Sequence, residues 1–377
     1  MLNCEQMAQI IKKYNFNFFA GVPDSTFKDW LKFLTDDNSN FTHIATSNEA
    51  DSIAITTGYH LATNQIGIAY MQNSGLGNCV NPLTSLADEE VYSIPILLLI
   101  GWRGMPGVKD EPQHKKMGRI TLALLDVLEI PYAILSEKPE ELDKAWSKAY
   151  DYMRQNNKPY AIILRKGIFK AYKTPVKSQM FEICREEAIK IITQQLTYKH
   201  VIVATTGQIS RELYEYRYNR SQSHEKDFYT VGSMGCSASI GMGIAQVQKE
   251  KEVIIFDGDG AALMHLGSWA PISSFESSNF KHIIFDNECY GSTGSQPTLS
   301  DKIDFGKIAL GFGYKYADHI STYSELNDGI KKLVQTPGPG MLIIKTNKNF
   351  RKNLIRPKTT PIENKTAFMN FLNKLKG

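Results

Sequence analysis

The sequence predicts an α/β protein made of two doubly wound parallel sheets, and three observations carry that expectation. Runs such as 95–101 and 253–256 are almost wholly aliphatic, which suits strands covered on both faces rather than on one. Those runs alternate with amphipathic segments of helical period. The alternation extends over about 170 residues, breaks at a Lys-, Tyr-, Thr-, Pro- and Ser-containing stretch, and then starts again. The expected organisation is a first domain over 1–170, a linker over 171–180 and a second domain over 181–377.

In the first half, Met7, Ile10, Ile11 and Tyr14 recur at helical spacing ahead of a strand over 16–20. Gly21-Val22-Pro23-Asp24-Ser25 follows, and Asp24 or Ser25 could cap a helix whose apolar face is Phe27, Trp30, Leu31 and Leu34. Glu49 opens a helix carrying Ile53, Ala54, Thr57, Gly58 and Leu61, where an acidic residue suits the helix dipole. A strand over 66–71 runs into a glycine-rich loop, Gln72 to Asn78, which is either an anion site or a plain strand-to-helix turn. After the aliphatic strand 95–101, residues 102–116 hold two prolines, two glycines, four cations and a histidine, and are expected to form one long loop. A helix over 122–128, a strand over 132–135, a helix over 140–153 and a strand over 160–165 complete this half.

The second half begins with a helix over 181–195 and a strand over 200–205, with Thr206-Gly207 at the strand's carboxyl end as a phosphate-facing turn. A strand over 228–231, the turn Gly232-Ser233-Met234-Gly235 and a helix of small residues over 236–245 follow. The strand Val253-Ile254-Ile255-Phe256 ends in Asp257-Gly258-Asp259-Gly260-Ala261, whose glycines permit a sharp turn and leave the Asp259 carboxylate where open α/β sheets bind ligands. A helix over 262–275 and a strand over 282–285 lead to Asn287, so that Asp259 and Asn287 offer hard oxygens from neighbouring strand ends, suited to Mg²⁺ or Ca²⁺. A strand over 341–345 and a helix over 368–375 close the chain.

Composition narrows the function class. A hydrophobic content of 42% suits an ordinary globule, and a formal net charge of +4 over 377 residues implies no nucleic-acid surface. Five widely spaced cysteines without a CxxC pair argue against a disulfide frame or a zinc site. The amphipathic first 17 residues, with Glu5, Lys12 and Lys13, do not read as a signal peptide, and no run of about 18 apolar residues is present to span a bilayer. A cytoplasmic protein without membrane or nucleic-acid partners is expected.

The GDG of Gly258 to Gly260, followed by 26 residues and then Asn287, does not stand alone. With it come GVPDS at 21–25, SNEAD around Glu49, YMQNSGLGN at 70–78, GWRG at 101–104, KDEPQH at 109–114, GSMG at 232–235 and GDGA at 258–261. From Gly21 to at least Gly291 the chain resembles the thiamine diphosphate (ThDP)-dependent 2-oxoacid decarboxylases in their compact form, which lacks a middle domain and hence a site for FAD. Within that family the nearest likeness is to members that decarboxylate 3-phosphonopyruvate to phosphonoacetaldehyde and CO₂, a carbon–carbon lyase reaction, with those acting on sulfopyruvate next.

The resemblance implies that the first half binds the aminopyrimidine and the second the diphosphate, in a homodimer or larger homo-oligomer with sites between chains. It gives Glu49 the bond to N1′ of the aminopyrimidine, Met234 the support of the bent cofactor, and the Gly232 carbonyl a bond from the 4′-amino group. Asp259, Asn287 and the Cys289 carbonyl would hold Mg²⁺, with Gly258, Gly260, Ala261, Thr206 and Gly207 at the diphosphate. Asp24 and His114 resemble the acid–base pair at the reacting carbon, although larger relatives carry paired histidines where this chain has His114-Lys115, and an acidic residue where it has Gly291-Ser292-Thr293-Gly294. For the phosphonate the implied contacts are Arg103, Lys109, Ser25 and the loop residues Asn73, Ser74 and Gly75. Sulfopyruvate, or a catalytically silent ThDP-binding regulatory role, are the alternatives. Intact Glu49 and Asp259 argue against silence, and the fusion of both halves in one chain argues against sulfopyruvate, whose enzymes often split them.

Overall fold

The computed structural model describes residues 1–36, 39–173, 181–291, 293–349, 351 and 353–374. They fall into two compact units, Met1–Val176 with Ser292–Gln296, and Lys177–Gly291 with Pro297–Gly377. Most of the expected linker, 171–180, lies outside the described residues.

Each unit is organised round a six-stranded parallel sheet. In the first, the strands run in the order Thr42–Ala45, Phe18–Gly21, Gly67–Gln72, Ile96–Trp102, Tyr160–Arg165, Tyr132–Ile134. Alternate residues of the inner strands feed two separate cores. Ile68, Tyr70, Leu97, Leu99 and Ile162 pack on one face, and Ala69, Met71, Leu98, Ile100 and Ile163 on the other. Burial on both faces is why these strands are continuously apolar; truncating one such residue, Leu98→Ala, would cost about 2–5 kcal/mol.

The second sheet has the order Tyr316–Ile320, Gly340–Lys345, Phe280–Asp286, Glu252–Gly258, His200–Ala204, Asp227–Tyr229. Ile202, Ile254, Ile283 and Leu342 feed one core, and Val203, Ile255, Ile284 and Ile343 the other. In both sheets the strand order reverses beside the strand that comes first in sequence. The switch point lies between Phe18–Gly21 and Gly67–Gln72 in one unit, and between His200–Ala204 and Glu252–Gly258 in the other. Crevices at such points are where open α/β sheets bind ligands. The motifs GVPDS and QNSG leave the first pair of strand ends, and TTG and GDGA the second.

The structure corrects several sequence expectations. Thr42–Ala45 and Tyr316–Ile320 are edge strands that the apolar pattern does not reveal, because they are half-exposed and polar. Helices at Gln208–Asn219, Phe305–Phe312 and Tyr323–Gln335 add to the elements expected from the sequence. The helix expected over 262–275 instead starts at Asp259 and ends at Met264, and a second helix runs Trp269–Ser274. Pro271 explains the break: it has no N–H to give to a preceding turn, and it is tolerated in the first turn of the new helix. Residues 102–116 are not one loop, since a helix begins at Pro112 and runs to Val127 with Glu111 at its N-cap. Proline at the first helical position is preorganised for that start, so His114, Lys115 and Lys116 are helical.

Candidate active site

In the first unit, Glu49 is the first residue of the helix Glu49–Thr63, where the Asn48 side chain caps the helix by accepting a hydrogen bond from the Ala50 amide at 2.8 Å. Capping fixes the direction in which Glu49 leaves the backbone. Its side chain is buried, and Asn78 Nδ2 donates to Oε2 at 2.7 Å. On the other side, a Cβ on Gly75 would fall 2.5 Å from Oε1, so only glycine lets the Asn73–Gly75 turn approach this carboxylate. The glycine-rich loop is therefore packed on Glu49 rather than being a bare turn.

Asp24 is not a helix cap. It precedes a short 3-10 turn, Ser25–Phe27, makes no capping bond, and is fully buried, with neither carboxylate oxygen in a hydrogen bond of good geometry. Gly101 makes room for it, since a Cβ there would lie 2.0 Å from Asp24 Oδ2. Burial pushes its carboxyl up to about 6, while Thr26 and the Arg103 charge pull the other way.

Arg103 lies in the same cluster and is held on three sides. Nε and Nη2 donate to Asp110 at 2.8 and 2.6 Å, and Nη1 donates to Ser25 Oγ at 2.9 Å. Asp110 also accepts from the amides of Gly104 and Glu111, each at 2.8 Å, so one carboxylate organises the whole turn between the strand and the Pro112 helix. The Arg103 bonds hold the Asp110 carboxyl well below the usual carboxylate range, and the same pairing raises Arg103. The Asn73 side chain staples the neighbouring backbone, accepting from the Arg103 amide at 3.1 Å and donating to the Arg103 carbonyl and Thr121 Oγ1 at 2.9 and 2.8 Å. Its side chain is thus spent inside the protein, and the whole residue is buried. Gly104, at a φ of +68°, places its backbone against the His114 carbonyl. Burial and then the Arg103 charge lower the His114 pKa, which keeps the ring neutral near pH 7. Ser74 and Lys109 are exposed.

In the second unit, Gly258 is the N-cap of the helix that Asp259 begins, so the Gly260 and Ala261 amides belong to its first turn. A Cβ on Gly260 would meet the Tyr290 ring at 2.4 Å, which excludes any larger residue. Asp259 is buried, Thr298 Oγ1 donates to its Oδ2, and Ser300 Oγ lies 3.2 Å from the same oxygen. Burial, then the Asp286 carboxylate, pushes the Asp259 carboxyl up to about 7. Asn287 follows the strand Phe280–Asp286, and its Oδ1 accepts from the Cys289 amide at 3.2 Å in a tight turn that Glu288 passes at a φ of +57°. One carboxylate, one amide and one carbonyl, all hard oxygens, are a donor set that fits Mg²⁺, and a cation would supply charge opposite to that of buried Asp259. At the other strand end, Gly207 has a φ of +101° and Thr206 Oγ1 accepts from the Gly232 amide at 3.0 Å, which ties this turn to GSMG. Gly232, Ser233 and Gly235 all have positive φ, and the turn leaves Met234 half-exposed. These turns, rich in backbone amides with little side-chain cover, fit a diphosphate.

The contacts of Asn78, Asp110, Thr298 and Ser300 go beyond the site residues expected from the sequence. Asn78 and Asp110 lie inside motifs already noted, whereas Thr298 and Ser300 sit in an irregular segment with no local signal.

Comparison with known proteins shows the family of the chain. The thiamine pyrophosphate enzyme N-terminal TPP binding domain matches residues 3–122, and the C-terminal TPP binding domain matches residues 205–344. The chain is 32% identical over 369 residues to phosphonopyruvate decarboxylase of Streptomyces viridochromogenes, covering 94% of this chain and 90% of that one. It is 30% identical over 387 residues to phosphonopyruvate decarboxylase of Streptomyces hygroscopicus, with 98% and 94% covered. It is 29% identical over 352 residues to sulfopyruvate decarboxylase of Methanosarcina acetivorans, with 87% of each covered. The last relative matches across both halves, so fusion of the halves does not separate the two substrates, contrary to the sequence expectation.

Proposed function

The chain belongs to the thiamine pyrophosphate enzymes, among phosphonopyruvate decarboxylases and a sulfopyruvate-acting relative, and on that footing we propose that it is a carbon–carbon lyase converting 3-phosphonopyruvate to phosphonoacetaldehyde and CO₂. Bound thiamine diphosphate would supply the electron sink for the pair left behind when the carboxylate of a 2-oxoacid departs as CO₂. Glu49, with one oxygen fixed by Asn78, would hold N1′ of the aminopyrimidine. The Gly232 carbonyl would accept from the amino group, Met234 would support the bent cofactor, and the turns of Thr206-Gly207 and Gly258 to Ala261 would take the diphosphate. Asp259, Asn287 and the Cys289 carbonyl would hold Mg²⁺.

The observation that carries the substrate reading is the juxtaposition of clamped Arg103 with the buried Asp24 carboxyl, joined through Ser25. Three of the five guanidinium N–H bonds are spent on Asp110 and Ser25, and the remaining two can donate to a phosphonate oxygen. Lys109 and the amides of Ser74 and Gly75 are the further donors. Asp24, titrating near 6, can exchange a proton at the reacting carbon close to neutral pH, and neutral His114 can accept one. A second reading, sulfopyruvate, draws on Asp110, which offsets the Arg103 charge and so makes the anchor less demanding of a dianion.

As part of the same proposal the chain works as a homodimer or larger homo-oligomer, supported by the exposed Ala54, Gly58 and Leu61 on the Glu49 helix. No helix among the described residues is long and apolar enough to cross a membrane, and five cysteines, none of them in a disulfide, suit a reducing cytoplasm. The test is kcat/KM for phosphonopyruvate, sulfopyruvate and pyruvate, each with ThDP and Mg²⁺. Phosphonopyruvate should lead by about an order of magnitude or more. A lead for sulfopyruvate would select the second reading, and turnover of none of the three would end both.

A further inference from the structure

In the second unit, three chain segments that are distant in sequence meet through two hydroxyls. Thr298 Oγ1 makes a short hydrogen bond to Asp259 Oδ2, and Ser300 Oγ lies 3.2 Å from the same oxygen. Ser300 Oγ also donates to Asp286 Oδ1 at 2.7 Å, and the two hydroxyls are 3.0 Å apart. Asp286 is held further by the Glu288 amide at 3.1 Å and by Lys345 Nζ at 2.7 Å, and Lys345 also reaches Glu288 Oε1 at 3.0 Å. Thr298, Ser300, Asp259 and Asp286 are all at least 97% buried. Asp286 immediately precedes the Asn287-Glu288-Cys289 turn. The hydroxyl pair thus connects the carboxylate of one expected metal ligand to the base of the turn bearing the other two.

Proton inventory sharpens the arrangement. Two hydroxyls have two protons, and the geometry gives one to Asp259 from Thr298 and one to Asp286 from Ser300. Both hydroxyls meet the same oxygen of Asp259, so that Oδ1 would be the oxygen offered to a bound cation. We propose that Thr298 and Ser300 are positioning residues that hold Asp259 to one-oxygen coordination and set its spacing from the Asn287 turn, and so favour Mg²⁺ over larger cations. Mg²⁺ demands near-octahedral geometry, whereas Ca²⁺ accepts a bidentate carboxylate. Removing the hydroxyls frees Oδ2, which loosens the site for Mg²⁺ and suits it better to Ca²⁺. This rests on the metal role of Asp259 and Asn287 proposed above.

The test uses the full chain with saturating ThDP, and reads tryptophan fluorescence as Mg²⁺ or Ca²⁺ is titrated, for wild type, Thr298→Val, Thr298→Ser and Ser300→Ala. Outer ligands of metal sites are typically worth 10–100-fold in metal affinity. Thr298→Val should therefore weaken Mg²⁺ roughly tenfold or more and shift the Mg²⁺-to-Ca²⁺ preference toward Ca²⁺. Ser300→Ala should move both in the same direction, Thr298→Ser should restore wild-type behaviour, and the melting temperature of the metal-free protein should hold. Mg²⁺ affinity and preference within about twofold of wild type in both Thr298→Val and Ser300→Ala would overturn the proposal. So would a fall in the metal-free melting temperature that Thr298→Ser does not repair, since that marks a merely structural role. If wild type itself shows no Mg²⁺-dependent binding of ThDP, the failure belongs to the metal reading and not to the hydroxyl pair alone.

Discussion

Gly75 and Glu49 are packed so closely that a methyl group on residue 75 would sit 2.5 Å from Glu49 Oε1, while Asn78 binds Oε2 from the next turn of the chain. The carboxylate is thereby confined from both sides. Gly75→Ala should displace Glu49 at a stability cost of about 1–3 kcal/mol, as overpacking of a buried contact typically does. Its turnover should fall with that of Glu49→Gln, which should still bind ThDP. Chemical denaturation, cofactor binding and CO₂ release check the three parts.

Asp24 gives a pH-dependent expectation whose sign is fixed by burial. Its folded carboxyl, near 6, lies above the ordinary value of 3.8, so the fold favours the protonated form. That contribution is fully present below the ordinary value and is lost as pH rises through about 6, after which the native state buries a charge. Asp24→Asn should therefore be more stable than wild type at pH 8, by up to roughly 3 kcal/mol, with the difference shrinking between pH 6 and pH 4. Urea unfolding across that range measures it. The same variant should lose most of its turnover.

Asp110 behaves oppositely, because Arg103 holds its carboxyl down. Its contribution is present above the ordinary value of 3.8 and is lost as pH falls below it. Asp110→Asn leaves the guanidinium of Arg103 without its bidentate partner. The expected cost is on the order of 2 kcal/mol near pH 7, below the 3–5 of a fully buried pair because the Arg103 side chain keeps 14% of its surface in water. Released from one orientation, Arg103 should raise KM for phosphonopyruvate more than it lowers kcat, which steady-state kinetics will separate.

Removing the metal should release the cofactor. Chelation of the loaded protein is expected to abolish decarboxylation and to lower the melting temperature, and added Mg²⁺ should restore both. A ligand present at a hundred times its Kd stabilises the folded state by about 2.7 kcal/mol, so the shift is large enough for a thermal melt. In Asp259→Ala, added Mg²⁺ should give no such recovery.

Much of this architecture is legible in the sequence because two-sided burial writes itself into composition. Leu97 to Ile100 and Val253 to Phe256 must be apolar at every position, since their alternate residues enter different cores. Thr42–Ala45 and Tyr316–Ile320 escape the same reading because an edge strand meets water and needs no such run. At the candidate site, the glycine-marked turn over 257–261 announces Asp259 and the strand end at Asn287 offers its amide, whereas Glu49 stands in no glycine turn and is legible only through the family resemblance of SNEAD. The role of Asp110 is hidden among the charges of its loop, and the contacts of Thr298 and Ser300 with Asp259 join positions 39 and 41 residues apart in the chain. Only the folded chain shows such pairings.

The most direct measurement is phosphorus NMR of phosphonopyruvate incubated with the protein, ThDP and Mg²⁺, with CO₂ collected in parallel. The expected result is conversion to phosphonoacetaldehyde with one CO₂ per molecule, dependent on both additions and lost in Glu49→Gln. Substrate left unconsumed by the loaded wild-type protein, or consumed equally well by Glu49→Gln, would contradict the account.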